Sequence, residues 1–547
     1  MGSGKFYHFP LLYYYMTRLQ TALLFILAAL APSAAVADEW DKNNYAPSDK
    51  SVTIGHTNLP IVFIDTRNGG TTPNIIHKDY RIPVRMKIIN NANGINYGDT
   101  TTHAGQHADY EGWVGIKYRG NSSFKYSDKK PFGFKTLKTN DVDGKKEKVE
   151  LLGMGKDNDW VMLAPFHDRS LIRDVLMFTL ARPYFEYTPS MRYCEVILDG
   201  IYYGIYILGE KAGKGKFRLN LEDPGDDGDA LTGDYHIQID RNDEEHYYTS
   251  KYKGRYQNGN EMRLHNKVYY QYKFPEYDDM IPDHPKQLDY LHSQIDAMED
   301  AFNSRNYTDP ETGYRKYVDV QSFVDQLLSQ EFCFNADGYR LSTNLYKRRD
   351  SVDPRFKTTL WDFNLAFGNN LYESIGKGTW GFYNNTATEI ACDNPIPFWW
   401  AKLMDDPAFV QQVKQRWYEY RLSNYAEANI MQTIDSLTAL LGADGALDRN
   451  FQIWPTLNED IWLTPSPPRN NTYEKEINSL KDWIIDRMQW IDRQLGFDPS
   501  GITLPQEKVG RQIEGYYTLH GIRTERPAHG PVIMRYNDGT SRIAIIK

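Results

Sequence analysis

The hydrophobic period of this chain changes once along its length, and that change limits the folds open to it. From residue 59 the apolar positions recur every second residue. "LPIVFIDT" (59–66), "YRIPVRMKII" (80–89), "WVGIKYRG" (113–120) and "KKPFGFKTL" (129–137) read as strands, with "RGNSS" (119–123) as a turn. One helical pattern interrupts them. "DRSLIRDVLMFTLARPYF" (168–185) places Leu171, Ile172, Val175, Leu176, Phe178 and Thr179 near helical spacing, with Asp168 as the expected N-cap. Two more strands follow, "RYCEVILDG" and "IYYGIYILGEK", around an Asp199-Gly200 hairpin turn.

After residue 284 the period is helical. "HPKQLDYLHSQIDAMEDAF", "VDVQSFVDQLLSQEFCF" and most of Trp399 to Leu441 read as amphipathic helices. "YEKEINSLKDWIIDRMQWIDRQLGF" keeps Ile477, Leu480, Ile484, Met488, Ile491 and Leu495 on one stripe and stops at Gly496. The fold class expected is α+β, with strands gathered first and helices second.

Both ends carry their own signals. Arg18, an apolar run from Ala22 to Ala31 and Ala35-Val36-Ala37 form a signal-peptide pattern over 1–37, with cleavage after Ala37 and Met16 as a second candidate start. The run is short for a bilayer span, so no transmembrane anchor is expected. Removing Lys5 and Arg18 makes the mature chain more acidic than the −9 of the full sequence. Residues 38–58 are a polar segment, 498–508 a Pro- and Gly-bearing linker, and 509–547 a small β tail of three short strands. Cys194, Cys333 and Cys392 lack metal spacing, allow at most one disulfide and read as small hydrophobes. The acidic loop 222–234 lacks the alternation of a calcium loop and reads as solvated. Charges are well mixed, with no basic stripe, which argues against nucleic acid as a partner.

Two aspartates stand out. Asp337 lies in "NADGYRLSTNLYKRRD" (335–350), at the mouth of an apolar helix, and Asp362 lies between Trp and Phe in "LWDFNLAFGN" (360–369). Strands with one inserted helix, then a helical half, is also the order of a protein-kinase-like fold. Phosphoryl transfer needs positioned phosphates, a carboxylate-held metal and an orienter for the acceptor hydroxyl. Lys130 or Lys135 is placed for the first task, with the later one preferred, and the two aspartates for the others.

With "RGNSS", "KKPFGFK", "LLGMGKDNDWVMLAPFHDRSLIRD" and "YYGIYILGEK", these segments resemble the CotH (spore-coat-H) kinase family over roughly 59–497. The resemblance implies an atypical two-lobe kinase-like domain, with an N-lobe over about 59–240 and a C-lobe over about 241–497. It implies ATP and Mg²⁺ or Mn²⁺ as cofactors and a hydroxyl-bearing protein, with Ser as acceptor, as substrate. It makes Asp337 the catalytic residue and Asp362, in Asp362-Phe363-Asn364, a metal ligand. Arg119, Ser122 and Ser123 would face phosphate, and Glu210 would sit where adenine is held. Ser342 stands where many members carry a metal-binding Asn, with Asn344 the nearest Asn, and Asn364 stands where many carry a second Asp. The inserted helix offers Asp174 and no Glu as partner for the Lys.

The tail resembles the sorting domain of type IX secretion through Tyr517, Leu519, Gly521, Gly530 and Lys547. That implies secretion machinery as a partner and a secreted or outer-membrane-surface location. Two rival readings follow from the residues. One is a catalytically weak or dead kinase-like surface scaffold or adhesin that binds glycans through its 40 Tyr and its Trp, "PFWW" (397–400) included. The other is a glycoside hydrolase using two carboxylates, which the sequence disfavours because the order of its motifs matches kinases.

Overall fold

The computed structural model describes residues 43–254, 256–258, 261–263, 267–370, 378–382, 394–465, 470–498, 513–517, 523–524, 530–536 and 541–546. The signal-peptide pattern, Cys392, residues 499–508 of the expected linker, and Leu519, Gly521 and Lys547 lie outside them. The chain divides into two compact units, Met1–Leu495 and Gly496–Lys547.

Seven strands of the first unit close into a barrel. Their order is Met191–Leu198, Ile201–Glu210, Asp159–Leu163, Phe132–Leu137, Ala108–Tyr118, Ile82–Ile89 and Ile61–Asp65. Neighbours are antiparallel except at the seam, where Glu195 pairs with Ile61 in parallel register. The alternation in the sequence explains the filling. Val62, Ile64, Val84, Met86, Ile116, Phe134, Trp160, Met162, Cys194 and Val196 are all buried in one cluster. Asp199 and Gly200 take φ of 52° and 87°, the left-handed pair that a two-residue hairpin turn needs.

The inserted helix spans Arg173–Ala181, later than Asp168 predicts. Asp168 is not at the N-cap position, which Ile172 holds, but it reaches the helix start from four residues before it. Its carboxylate accepts the N–H groups of Ser170 and Arg173, both at 2.9 Å, and pairs with the Arg173 guanidinium, which also reaches Glu476 at 3.0 Å.

A second sheet takes three strands from before residue 284 and two from the half that reads as helical. Its order is Tyr247–Lys253, Lys267–Phe274, Tyr235–Asp240, Thr343–Lys347 and Lys357–Thr359. The helices expected from periodicity are present as Pro285–Asn303, Val320–Cys333, Trp399–Met404, Pro407–Arg421, Glu427–Gly442 and Tyr473–Leu495. The last buries the predicted stripe from Ile477 to Leu495, and Gly496 follows at φ 74°. Under it, Arg487 and Glu331 form a fully buried pair at 2.9 Å.

Cys194 and Cys333 are free thiols in the core. The acidic loop holds a short helix, Gly228–Leu231, and its Asp226 and Asp227 pair with His284 and Lys286 at 2.9 Å each. Among the described residues no helix is long and apolar enough to cross a membrane. The described part of the second unit is a four-stranded sheet of Ile513–Tyr517, Arg523–Thr524, Gly530–Tyr536 and Ser541–Ile546, one strand more than expected.

Candidate functional site

The Val320–Cys333 helix ends at Phe334, whose φ of 41° turns the chain sharply into Asn335-Ala336-Asp337. The Asn335 side chain then ties two segments together. Its oxygen accepts the Asp337 N–H at 3.2 Å, and its amide donates to the Asp362 carbonyl at 2.8 Å. Asp337 thereby faces Asp362 across one cavity of about 730 Å³. Arg340 donates to the Asp337 carboxylate at 2.7 Å.

The backbone is held in uncommon conformations here. Phe334, Tyr339, Ser342 and Asp362 all have φ between 41° and 70°. Each such non-glycine residue costs about 1–2 kcal/mol, and strain of this kind concentrates at functional sites. Ser342 sits between two carboxylates. Its N–H donates to Asp240 at 3.2 Å, and its hydroxyl lies 3.5 Å from an Asp362 oxygen. Burial and the Asp337 and Asp240 charges push the Asp362 carboxyl up, against the pull of Arg119. Burial and the Asp362 charge push Asp174 up as well. Asp174 accepts the Phe363 N–H at 2.6 Å, so the inserted helix fixes the Asp362 segment.

Arg119 enters from the barrel, stacked 5.6 Å over the Trp361 ring. Burial lowers its guanidinium value, while the charges of Asp362, Asp159 and Asp174 oppose that fall. Next to it, Gly120 has φ 82°, in the left-handed region that favours glycine, and a Cβ there would crowd the Ser123 hydroxyl at 2.0 Å. Ser122 and Ser123 begin a short helix, Ser122–Lys125, on the cavity wall.

The cavity thus brings together Asp337, Asp362, Ser342, Arg119, Ser122 and Ser123. Four candidates lie elsewhere. Lys135 follows the inward-facing Phe134, so the strand period turns it away from the barrel interior, and it does not line the cavity. Lys130 is buried under the turn, donating to the Phe124 carbonyl at 2.6 Å with its ammonium over the Tyr45 and Phe124 rings. Glu210 is buried, accepting the Ser190 N–H at 2.8 Å and the Tyr187 hydroxyl at 3.2 Å. Asn344 bridges His236 at 2.9 Å and the Ser342 carbonyl at 3.2 Å, so it positions Ser342 from behind.

Asn335, Asp240 and Arg340 were not singled out by the sequence. Arg340 carried a readable signal, three residues from Asp337. Asp240 carried none, because a strand pairing brings it in from a distant segment.

Residues 116–491 match the CotH kinase protein family. The chain belongs to the CotH kinase family. Among curated proteins none matches it. Membership makes the chain kinase-like and brings with it the family's general use of ATP and a divalent metal. The CotH cavity has a donor set that fits such an ion: Asp362, Ser342 and Asn364 offer oxygen ligands, and the crowding that raises Asp362 is relieved by a cation. Among the described residues no three His, Cys, Asp or Glu side chains form a closed cage.

Proposed function

We propose that this CotH-family chain is an ATP-dependent kinase that transfers the γ-phosphoryl group to a hydroxyl, with Ser as acceptor, of a surface or secreted protein. The single observation that carries this reading is the Asn335 bridge, which sets Asp337 and Asp362 in one cavity.

In this reading Asp337 accepts the hydrogen bond of the acceptor hydroxyl, orients it and takes its proton as the new P–O bond forms. Arg340, on the same carboxylate, holds Asp337 in place and faces the charge that builds on the phosphoryl oxygens. Arg119 supplies the phosphate-facing cation, and Ser122 and Ser123 line the same wall. Asp362, with Ser342 and Asn364, would hold the divalent cation, which neutralises phosphate charge when bound. The signal-peptide pattern and the tail segments around Tyr517 and Gly530 support export, with the secretion machinery as partner.

A second reading keeps the fold and loses the chemistry, leaving a scaffold or adhesin. Its supporting observation is that Ser342 and Asn364 are weaker ligands than carboxylates at a metal site. One experiment separates the two. The melting temperature of the purified chain is measured with ATP and Mg²⁺ or Mn²⁺, beside Asp362→Ala. A ligand at 100 times its dissociation constant adds about 2.7 kcal/mol. A metal-dependent rise lost in the variant supports the kinase. No rise with any metal leaves the scaffold.

A further inference from the structure

The outer wall of the barrel, beside the cavity, gathers cations from separate segments. Ile116 and Tyr118 are buried inside the barrel, so the strand period turns Lys117 outward. Ile82 pairs with Ile116, which sets Arg81, one residue earlier, beside Lys117. The Arg81 arm lies over Gly115, where a Cβ would meet its Cδ at 3.4 Å. The His77 carbonyl accepts the Tyr118 N–H at 2.8 Å, and this places Lys78 near Arg119 on the cavity wall. Lys211 joins the group just past the Ile201–Glu210 strand.

These cations lack the partners that others have. On the same barrel Arg67 and Lys87 each hold a carboxylate at 2.9 Å. Among the described residues Lys78, Arg81 and Lys117 hold none, and all three are only partly buried. Nearby carboxylates are engaged elsewhere. Lys211 holds Asp159 at 3.6 Å, Lys273 holds Glu244 at 3.2 Å, and Asn121 donates to Asp243. Asp79, in the loop that bears Lys78, is exposed. Burial and the charges of Arg81, Lys78 and Lys211 push the Lys117 ammonium down, against the pull of Asp79. An anion set among these groups would relieve that repulsion.

The patch begins inside the cavity and continues beyond it. Lys78 and Arg119 line the cavity, whereas Arg81, Lys117 and Lys211 do not. A nucleotide held in the cavity has no use for that continuation. A polypeptide that brings a hydroxyl to Asp337 and leaves over Lys78 would cross it. An extended segment advances about 3.3 Å per residue, so side chains a few positions from the hydroxyl reach the patch. Lys78 and Arg81 precede residues 116–491, so family membership does not account for them. Nucleic acid fits less well, because Asp79, Asp243 and Glu244 break up any row of phosphates.

We propose that this patch is a docking surface for an acidic stretch of the acceptor protein, with Glu or Asp side chains near the hydroxyl lying against Lys78, Arg81 and Lys117. The proposal rests on the kinase reading and names the substrate class that reading leaves open.

The test is fluorescence anisotropy of labelled Ser peptides with the full chain, without nucleotide. The peptides share one Ser and differ only in flanks of Glu, Gln or Lys. Binding of ATP with Mg²⁺ is measured in parallel by calorimetry. Wild type is expected to bind the Glu peptide at least about tenfold more tightly than the Gln peptide, the combined effect of several partly exposed charge pairs. That advantage should shrink as NaCl rises from about 50 to about 500 mM. The double variant Arg81→Glu, Lys117→Glu should lose the Glu preference and favour the Lys peptide, while its ATP affinity stays within about twofold. If that variant fails to fold, Arg81→Gln with Lys117→Gln decides, since it should lose the preference without gaining the opposite one. Equal binding of the Glu and Gln peptides by wild type would overturn the proposal. A fall in ATP affinity alongside peptide affinity would also overturn it, by assigning the patch to the nucleotide. So would tighter binding of a labelled single-stranded oligonucleotide than of the Glu peptide. A Glu preference in a chain that binds no ATP would keep the docking surface and overturn the kinase reading alone.

Discussion

The side chain of Asn335 donates a 2.8 Å hydrogen bond to the backbone carbonyl of Asp362. With its oxygen on the Asp337 N–H, it sets the spacing of the two aspartates without touching either carboxylate. Asn335→Ala is therefore expected to cost about 1–2 kcal/mol of stability from the lost bonds. The fall in phosphoryl transfer at saturating ATP should be much larger than that stability loss explains. Melting curves and initial rates, measured together, check this.

The two aspartates should fail differently. Asp337→Asn keeps the shape and removes the base, so transfer should fall about 10²- to 10⁴-fold while nucleotide binding persists. Asp362→Asn should instead abolish the metal dependence of nucleotide binding. Equal loss of binding in both variants would contradict the division of roles.

Arg119 and Lys135 give a sharper comparison, because the sequence offers both for the nucleotide and only the arginine lines the cavity. Arg119→Met should raise the KM for ATP at least about tenfold, the scale of one lost charge-assisted hydrogen bond. Lys135→Ala should leave KM and kcat within about twofold, as expected of a residue off the cavity wall. Steady-state kinetics at several ATP concentrations decide.

The Glu331–Arg487 pair is wholly buried, and its carboxylate also accepts the N–H groups of Gly381 and Phe382 and the Tyr339 hydroxyl. Glu331→Ala leaves a buried guanidinium uncompensated. Chemical denaturation should show a loss of about 3–5 kcal/mol.

Acid should act through His236, which burial pushes down to about 4 from an ordinary value of 6.5. Between those values the unfolded ring binds a proton and the folded ring does not. Stability from this group is therefore complete above pH 6.5 and declines as pH falls toward 4. Relative to His236→Gln, wild type should lose up to about 2–3 kcal/mol from pH 6.5 to about 4.5, at about 1.4 kcal/mol per unit. Urea midpoints of both proteins across that range test the sign.

Local patterns made part of this legible. The stripe from Ile477 to Leu495, the Asp199-Gly200 turn and the segments around Asp337 and Asp362 depend on residues close in sequence. The barrel seam does not, since Ile61 meets Glu195 only once the intervening strands have paired. Strand period assigned Lys135 to a surface, and the phase set by Phe134 decided which. Asp240 and Asn335 act through hydrogen bonds that no spacing rule describes. Glu210 ends a strand as expected, but its carboxylate is spent on the 187–190 segment.

The closed barrel has a consequence for how this protein meets other chains. A barrel has no first or last strand, so it offers no unpaired row of backbone N–H and C=O groups to a visiting segment. The barrel that leads into Arg119 therefore cannot be extended by strand addition, either from a partner or from another copy. A ligand peptide that docks by backbone pairing is confined to sheets with open ends, such as the one bounded by Tyr247–Lys253 and Lys357–Thr359. Around the barrel, recognition must run through side chains alone.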